Sequence, residues 1–375
     1  MRVLLTGGGT AGHINPAIAI ARTIKARRPG AEILFVGAEG GMEEKLVTEA
    51  GFALRTYRVS GITRSLSPRA LAQNLRAAAR LSGAMRAARK LIDEFLPDAV
   101  IGTGGFASYP AVRAAQKKGV PTLIHESNVM PGKTNKQLAA RCTRVLVGSE
   151  DAVRHFRDPS RCVVTGNPLR EGMVFSGKDE AKRALGIEGK LVLSMWGSLG
   201  AREMNRMTAG LFALEQKNGS TFRHIHSTGS YGWAWMPQYV AELGVDLSRC
   251  PNIDMREYVF DAPRVLAAAD LILCRAGAMT MSEVCATGTP AVIVPSPNVA
   301  DDHQRYNARS LSDRGAAVYL EEADADPETV FSLINELLND EDRLKRMSDS
   351  GLAMAVFDAS DRIWRILCQV VESRG

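Results

Sequence analysis

Arg2-Val-Leu-Leu-Thr-Gly-Gly-Gly-Thr-Ala-Gly-His13 is the stretch that decides the fold. A short apolar run, Val3 to Leu5, enters a loop with glycines at 7, 8, 9 and 12. Helix formers with an apolar stripe follow from Pro16 to Arg27, so the opening reads strand, glycine turn, helix. Gly7-x-Gly9-x-x-Gly12 has the spacing that lets a backbone turn tightly and approach a phosphate, whose charge then lies at a helix N-terminus. One such loop leaves three readings open: a phosphate site, a nicotinamide site, or a tight turn with no ligand. His13 and Asn15-Pro16, read as the helix start, follow at once, where a dehydrogenase usually continues with small apolar residues. Glu39 is the acid that would serve a nicotinamide ribose, and it stands beyond the usual spacing of about 20 residues.

Outward from that stretch the unit repeats. Glu32 to Val36 leads into Gly37 and a helix from about Met42; Asp98 to Ile101 leads into Gly102-Thr-Gly-Gly105 and another helix. Pro121 to Ile124 and Arg144 to Val147 read as further strands. The second half opens the same way, with Lys190 to Met195 entering Trp196-Gly-Ser-Leu-Gly-Ala201 and a helix. Phe222 to Ser227, Asp270 to Cys274 and Pro290 to Val294 are the later strands, and Asp361 to Val371 is a closing helix. Alternation of this kind predicts an α/β protein of two Rossmann-like domains with parallel sheets, divided near Gly166-Asn-Pro-Leu-Arg170.

The bulk properties agree with that plan. A chain of 375 residues, 45 % hydrophobic, can bury a core in each of two domains. The six cysteines are scattered with no C-x-x-C and no metal-ligand spacing, so they are expected as reduced thiols. No apolar run approaches the roughly 20 residues that span a bilayer, and the N-terminus lacks the apolar core of a signal peptide. The expectation is a soluble protein able to lie on a membrane. Its net charge of +6 is uneven: residues 1–120 hold 18 Lys and Arg against 8 Asp and Glu. A basic first half suits nucleic acid, an anionic membrane or a phosphorylated substrate, and charge alone does not choose among them.

A second candidate site is Cys274-Arg-Ala-Gly-Ala-Met-Thr-Met-Ser-Glu283. A strand ends at Cys274, Gly277 permits an unusual backbone, and a helix begins near Ala278 with Glu283 in its first turns. Free amides at that helix start suit a diphosphate, and the carboxylate just beyond suits ribose hydroxyls. The alternative makes Thr280 or Ser282 a plain N-cap with Glu283 as its partner. Gly197-Ser-Leu-Gly200 offers further amides and the Ser198 hydroxyl.

Several motifs in a fixed order together resemble one family. They are Gly8-Gly-Thr-Ala-Gly-His13, Gly104-Gly-Phe-Ala-Ser-Tyr-Pro110, His125-Glu-Ser-Asn128, Gly166-Asn-Pro-Leu-Arg170, Gly197-Ser-Leu-Gly-Ala201, Cys274 to Glu283 and Asp302-His-Gln-Arg-Tyr-Asn307. The resemblance is to the MurG family of GT-B glycosyltransferases, which move N-acetylglucosamine from UDP-N-acetylglucosamine to undecaprenyl-diphospho-muramoyl-pentapeptide, lipid I, in peptidoglycan synthesis. It covers nearly the whole chain and implies two Rossmann-like domains facing a central cleft. The acceptor and membrane-facing domain would be residues 1–169 with a returning C-terminal helix at about 358–375, and the donor-binding domain 170–357. By position, Arg170 and Ser198 would touch the diphosphate or sugar, and Val259 would meet the uracil through backbone groups. Ala278, Met279, Thr280, Met281, Ser282 and Glu283 would hold diphosphate and ribose, with Glu283 on the ribose, and Gln304 would orient the sugar hydroxyls. From the first domain Thr10, Ala11 and Gly12 would line the cleft, His13 would sit over the reacting centre, and Asn128 would help place the sugar. Three positions depart from the family pattern: Ala11 replaces a glycine, Leu199 replaces a glutamine and His303 stands before Gln304.

The chemistry implied is one in-line displacement at the anomeric carbon with inversion, giving a β-1,4 linkage. His13 is the candidate base, since an imidazole titrates near neutral pH. On its own, a histidine after a glycine turn reads rather as a backbone-bonding or capping residue. No D-x-D stands out as a metal site, and Asp301 and Asp302 are adjacent, so neither a metal nor a cofactor is expected. From Leu54 to Lys90 there are nine Arg or Lys and no acid. Arg69 to Ile92 reads as a helix with Leu71, Leu75, Ala78, Leu81, Met85 and Ile92 on one side, expected to face the core, and Arg69, Arg76, Arg80, Arg86 and Lys90 opposite. The basic segment 55–90 is therefore expected to dock on anionic lipid at the cytoplasmic face of the cell membrane, with Ser60 to Leu66 dipping apolar residues into the interface. Other readings are a UDP-sugar 2-epimerase, a glycolipid glycosyltransferase with another acceptor, and a nicotinamide oxidoreductase. A nucleic-acid-binding protein would account for the charge but not for Gly277 to Glu283, and no nucleic-acid module is visible.

Overall fold

A computed structural model describes residues 1–61, 67–169 and 177–373, less the side chains at 68–73 and 75. The chain divides into two compact units, Met1–Arg170 with Val356–Gly375, and Glu171–Ala355.

Unit 1 runs β1 (Arg2–Thr6), α1 (Ala11–Arg27), β2 (Glu32–Ala38), α2 (Met42–Glu49), β3 (Ala53–Tyr57), α3 (Pro68–Phe95), β4 (Ala99–Gly102), α4 (Ser108–Lys117), β5 (Thr122–Glu126), α5 (Lys133–Ala139), β6 (Arg144–Val147) and β7 (Cys162–Val164). Its strands form one parallel sheet in the order β3-β2-β1-β4-β5-β6-β7. A parallel sheet covered on both faces needs continuous apolar strands, and β1 shows the alternation at work. Val3 and Leu5 pack on one face with Ile14, Ala17 and Ile20 of α1, while Leu4 packs on the other with Ala84 and Ala88 of α3.

Two expectations need correction here. Asn15-Pro16 does not start the first helix; α1 begins at Ala11, with Pro16 inside it and Thr10 as its extended N-cap. The glycine motif itself thus becomes the first helical turn. The apolar seam of α3 also differs from the expected stripe, because Ala78 is exposed and the buried seam is Ala77, Ala84, Ala88 and Ile92. Alanines at three of these positions let α3 approach closely, and Met85 and Ile92 of the expected stripe pack on the same core. Arg76, Arg80, Arg86, Arg89 and Lys90 lie on the exposed side. Arg69, Leu71, Leu75 and the loop stretch 62–66 fall outside the described side chains or residues.

Unit 2 runs α6 (Lys178–Leu185), β8 (Lys190–Met195), α7 (Arg202–Asn218), β9 (Phe222–Ser227), α8 (Ser230–Trp233), α9 (Met236–Glu242), β10 (Ile253–Arg256), α10 (Ala262–Ala268), β11 (Leu271–Cys274), α11 (Ala278–Thr287), β12 (Ala291–Ile293), α12 (His303–Ser312), β13 (Ala317–Tyr319), α13 (Pro327–Leu338) and α14 (Glu341–Met354). The order β10-β9-β8-β11-β12-β13, again all parallel, repeats the pattern of the first six strands of unit 1. The last helix, α15 (Ala359–Glu372), belongs to unit 1, where Ile363 and Leu367 join the α1 side of the core. All six cysteines are free thiols. No helix of the described residues is long and apolar enough to cross a membrane.

In both sheets the strand order reverses beside the first strand, between β1 and β4 and between β8 and β11. Ligands of open α/β sheets bind beyond the carboxyl ends of strands at such a point. The topology therefore places four loops there: 7–10 and 103–107 in unit 1, and 196–201 and 275–277 in unit 2.

Candidate active site

In unit 1 the two switch-point loops are locked together through their backbones. Gly8 N donates to Gly104 O at 3.2 Å and Thr103 N to Thr6 O at 2.9 Å. The Thr103 hydroxyl donates to His13 O at 2.6 Å, tying the start of α1 to the end of β4. Gly105 has φ +76, and a Cβ there would lie 1.9 Å from Gly8 O, so only glycine fits.

His13 sits on the first turn of α1, half-buried, with its ring against Gly104. Its Nδ1 lies 3.2 Å from Gly8 O and 3.1 Å from the Thr10 hydroxyl. A carbonyl can only accept, so Nδ1 carries the proton and Nε2 is the basic nitrogen. Thr10 and Gly12 are exposed and Ala11 is half-buried at the helix start, where its ordinary helical backbone makes no demand for glycine. The departure at position 11 is thereby accounted for.

The third unit 1 element is the end of β5. Glu126 is buried, yet four N–H groups point at it: Asn128 N and Nδ2 at 3.0 and 3.1 Å, Gly132 N at 3.0 Å and Asn135 Nδ2 at 2.9 Å. The carboxylate thus shapes the loop that carries Asn128. His125 is fully buried, and burial pushes its imidazole down to about 4, so it is neutral near pH 7. Glu39, just beyond β2, ion-pairs with Arg58 at 2.9 Å on the surface.

In unit 2, Ser198 and Leu199 are exposed on the loop after β8, whose shape is held by Ser230 N donating to Ser198 O at 3.4 Å. A cavity of about 410 Å³ lined by Leu199, Arg202, Asn205, Tyr231 and Trp235 opens beside it. The helix after β11 begins at Ala278 with Gly277 as N-cap and no side-chain cap, so neither Thr280 nor Ser282 caps it. Ala278, Met279, Thr280 and Ser282 are half-buried, whereas Met281 and Glu283 are buried, Glu283 at 2 % exposure. Arg275 ion-pairs with Glu322 and donates to Val294 O at 3.0 Å, fixing the turn before that helix. Gln304 accepts from Ser296 N at 2.8 Å, and Asn307 donates to Ala276 O at 3.0 Å, so α12 braces the same turn. Asp301 and Asp302, both left-handed at φ 54 and 52, bring the chain sharply into α12. Val259 is buried between the exposed Tyr258 and Phe260. Arg170 lies outside the described residues.

Of the expected residues, Thr10, Ala11, Gly12 and His13 lie at the switch point of unit 1, and Ser198 and Ala278 to Glu283 at that of unit 2, whereas Asn128 follows β5, Val259 follows β10 and Gln304 lies on α12. A further cavity of about 570 Å³, lined by Lys25, Ile33, Ala53, Leu91 and Phe95 among others, lies at the opposite ends of β2 and β3 and belongs to neither switch point. Thr103, Asn135 and Glu43 were not singled out from sequence, because no periodicity or motif marks a lone polar residue that acts on backbone.

Comparison with known proteins adds the following. Residues 3–147 match the glycosyltransferase family 28 N-terminal domain and residues 191–363 its C-terminal domain. The chain is 38 % identical, over all of both sequences, to the UDP-N-acetylglucosamine--N-acetylmuramyl-(pentapeptide) pyrophosphoryl-undecaprenol N-acetylglucosamine transferase of Acetivibrio thermocellus. A Bacillus cereus protein of the same name, numbered 1, is 36 % identical over 99 % of this chain and all of its own. The crystal structure of Acinetobacter baumannii MurG superposes with a TM-score of 0.75 at 27 % identity, covering 98 % of this chain and 99 % of that one. A Listeria monocytogenes structure titled a putative UDP-N-acetylglucosamine 2-epimerase superposes at 0.68 over 99 % of this chain and 97 % of its own; at 14 % identity this shows shared fold alone.

Proposed function

We propose, from the premise that this chain belongs to glycosyltransferase family 28 and stands with its MurG members, that it transfers N-acetylglucosamine from UDP-N-acetylglucosamine to undecaprenyl-diphospho-muramoyl-pentapeptide. The observation that carries the reading is full-length identity of 38 % to a transferase named for that donor sugar and that acceptor.

The acceptor hydroxyl attacks the anomeric carbon in line, its proton passes to His13 Nε2, the bond from that carbon to the UDP oxygen breaks, and a β-1,4 linkage forms with inversion. Support for His13 as base is the Nδ1 bond to Gly8 O, which aims the ring and selects the basic nitrogen. UDP departs as a diphosphate whose charge would be met by the N-terminus of α11, the loop at Ser198 and Arg170. In the same reading Val259 meets the uracil, Ala278 to Glu283 hold diphosphate and ribose, Gln304 and Asn128 orient the sugar, and Thr10, Ala11 and Gly12 line the acceptor side. The basic segment 55–90 docks the first unit on anionic lipid, bringing the enzyme to the cytoplasmic face of the cell membrane, where a polyprenyl-linked acceptor resides.

The test is transfer of label from UDP-[14C]GlcNAc to a short-chain lipid-linked muramoyl-pentapeptide. Label entering the lipid product, with no NAD and no metal added, supports the proposal. Tight UDP binding without transfer to this acceptor would leave the donor and remove the acceptor.

A further inference from the structure

One buried acid of unit 1 has no part in that scheme. Glu43, the second residue of α2, is 1 % exposed. Its Oε1 accepts the Ala38 amide at 3.2 Å, while Oε2 has no hydrogen-bond partner among the described residues. The carboxylate is seated against bare backbone: a Cβ on Gly8 would lie 1.8 Å from Oε1, and one on Gly41 2.2 Å from Oε2. Gly8 is the residue whose carbonyl holds His13 Nδ1. A single peptide therefore stands between this carboxylate and the imidazole.

Neutral or compensated groups also face His13. Thr10 and Thr103 are neutral hydroxyls. Asn135, beside Gly104, leads to Glu126, but four N–H donors already compensate that charge. His125 is neutral near pH 7. Tyr57 is a neutral phenol, its hydroxyl pushed up chiefly by burial. An acid kept buried with one oxygen unpaired is costly, and such a group calls for a reason.

We propose that Glu43 is a positioning residue for His13: through the Gly8 peptide it fixes the ring's hydrogen bond, and its charge keeps the imidazole basic and steadies the imidazolium as the acceptor's proton arrives. The inference rests on the reading of His13 as the base.

The experiment is titration of the full-length enzyme's histidines by NMR, beside the pH profile of kcat/KM, in Glu43→Gln and Glu43→Asp, with His13→Ala assigning the His13 signal. In Glu43→Gln the His13 pKa falls by about half to one unit, as expected for a charge lost several ångströms away in a poorly screened site. The acidic limb of kcat/KM moves down by the same step, and kcat drops about threefold with the KM for UDP-N-acetylglucosamine unchanged. Glu43→Asp, which keeps a charge but draws it back, gives a smaller shift in the same direction and serves if the glutamine variant does not fold. A lowered melting temperature with His13 titrating unchanged in both variants would overturn the inference and leave Glu43 a structural residue. Full activity in His13→Ala would remove the base and this inference together, whereas loss of rate there with unmoved titration in the Glu43 variants removes the inference alone.

Discussion

Gly105→Ala is the substitution for which the structure gives the clearest magnitude. Two costs add at this position. The backbone is left-handed at φ +76, which costs a residue with a Cβ about 1–2 kcal/mol. The new Cβ would also stand 1.9 Å from Gly8 O, about 1.5 Å short of ordinary contact, and a main-chain carbonyl cannot rotate aside as a side chain could. Overpacking of this kind costs about 1–3 kcal/mol more. Gly119 provides the control within the same unit, since it too is left-handed, at φ +69, but has nothing near its would-be Cβ. Gly119→Ala should therefore cost only the conformational part, about 1–2 kcal/mol, and Gly105→Ala about 2–5 kcal/mol. Urea unfolding of unit 1 can be followed by fluorine NMR on 5-fluorotryptophan protein, because Trp364 on α15 is the only tryptophan in that unit and packs at its core. Displacing Gly8 O also breaks the His13 contact, so kcat should fall by about 100-fold in Gly105→Ala and stay unchanged in Gly119→Ala. Equal destabilisation by the two substitutions, with kcat retained in both, would refute the claim that the loops at 8 and 105 are locked in contact.

Three further outcomes follow from particular contacts. His125 titrates at about 4 when folded and near 6.5 when unfolded, so the unfolded chain binds more protons between those values; unit 1 keeps its full stability above pH 6.5 and loses about 3 kcal/mol as pH falls to 4. Urea midpoints across that range should slope in the parent and flatten in a folded His125→Gln variant. Replacing Arg80, Arg86 and Arg89 by Gln should weaken binding to anionic vesicles by about 1 kcal/mol per residue, and binding of the parent should fall with added salt; sedimentation with vesicles measures both. Glu322→Ala leaves Arg275, whose side chain is only 11 % exposed, without its carboxylate, and should destabilise unit 2 by about 2–4 kcal/mol and weaken UDP binding several-fold, read by urea unfolding and calorimetry.

Much of this protein was legible in its residue order. Val3-Leu-Leu5 before a glycine loop, and Leu191-Val-Leu193 before another, announce two parallel α/β sheets, because strands covered on both faces must be apolar throughout. The strands that went unread, β3, β7, β10 and β13, lie at sheet edges or are three residues long, where one-sided burial leaves little apolar signal. The glycine motifs and His13 were also visible as a pattern. Local sequence did not tell that α1 begins at Ala11, because Pro16 carries a start signal that the extended Thr10 overrides. It could not tell that Ala77, Ala84 and Ala88 rather than Ala78 make the seam of α3, since that depends on how close the opposing helix comes. Nor could it tell that Gly8, Gly105, His13 and Glu43, up to 97 positions apart, meet around one peptide. Periodicity reports which face of an element is buried. Which backbone atoms two loops bring within contact distance is set only when the sheet fixes the separation and register of β1, β2 and β4, and that is a property of the folded chain alone.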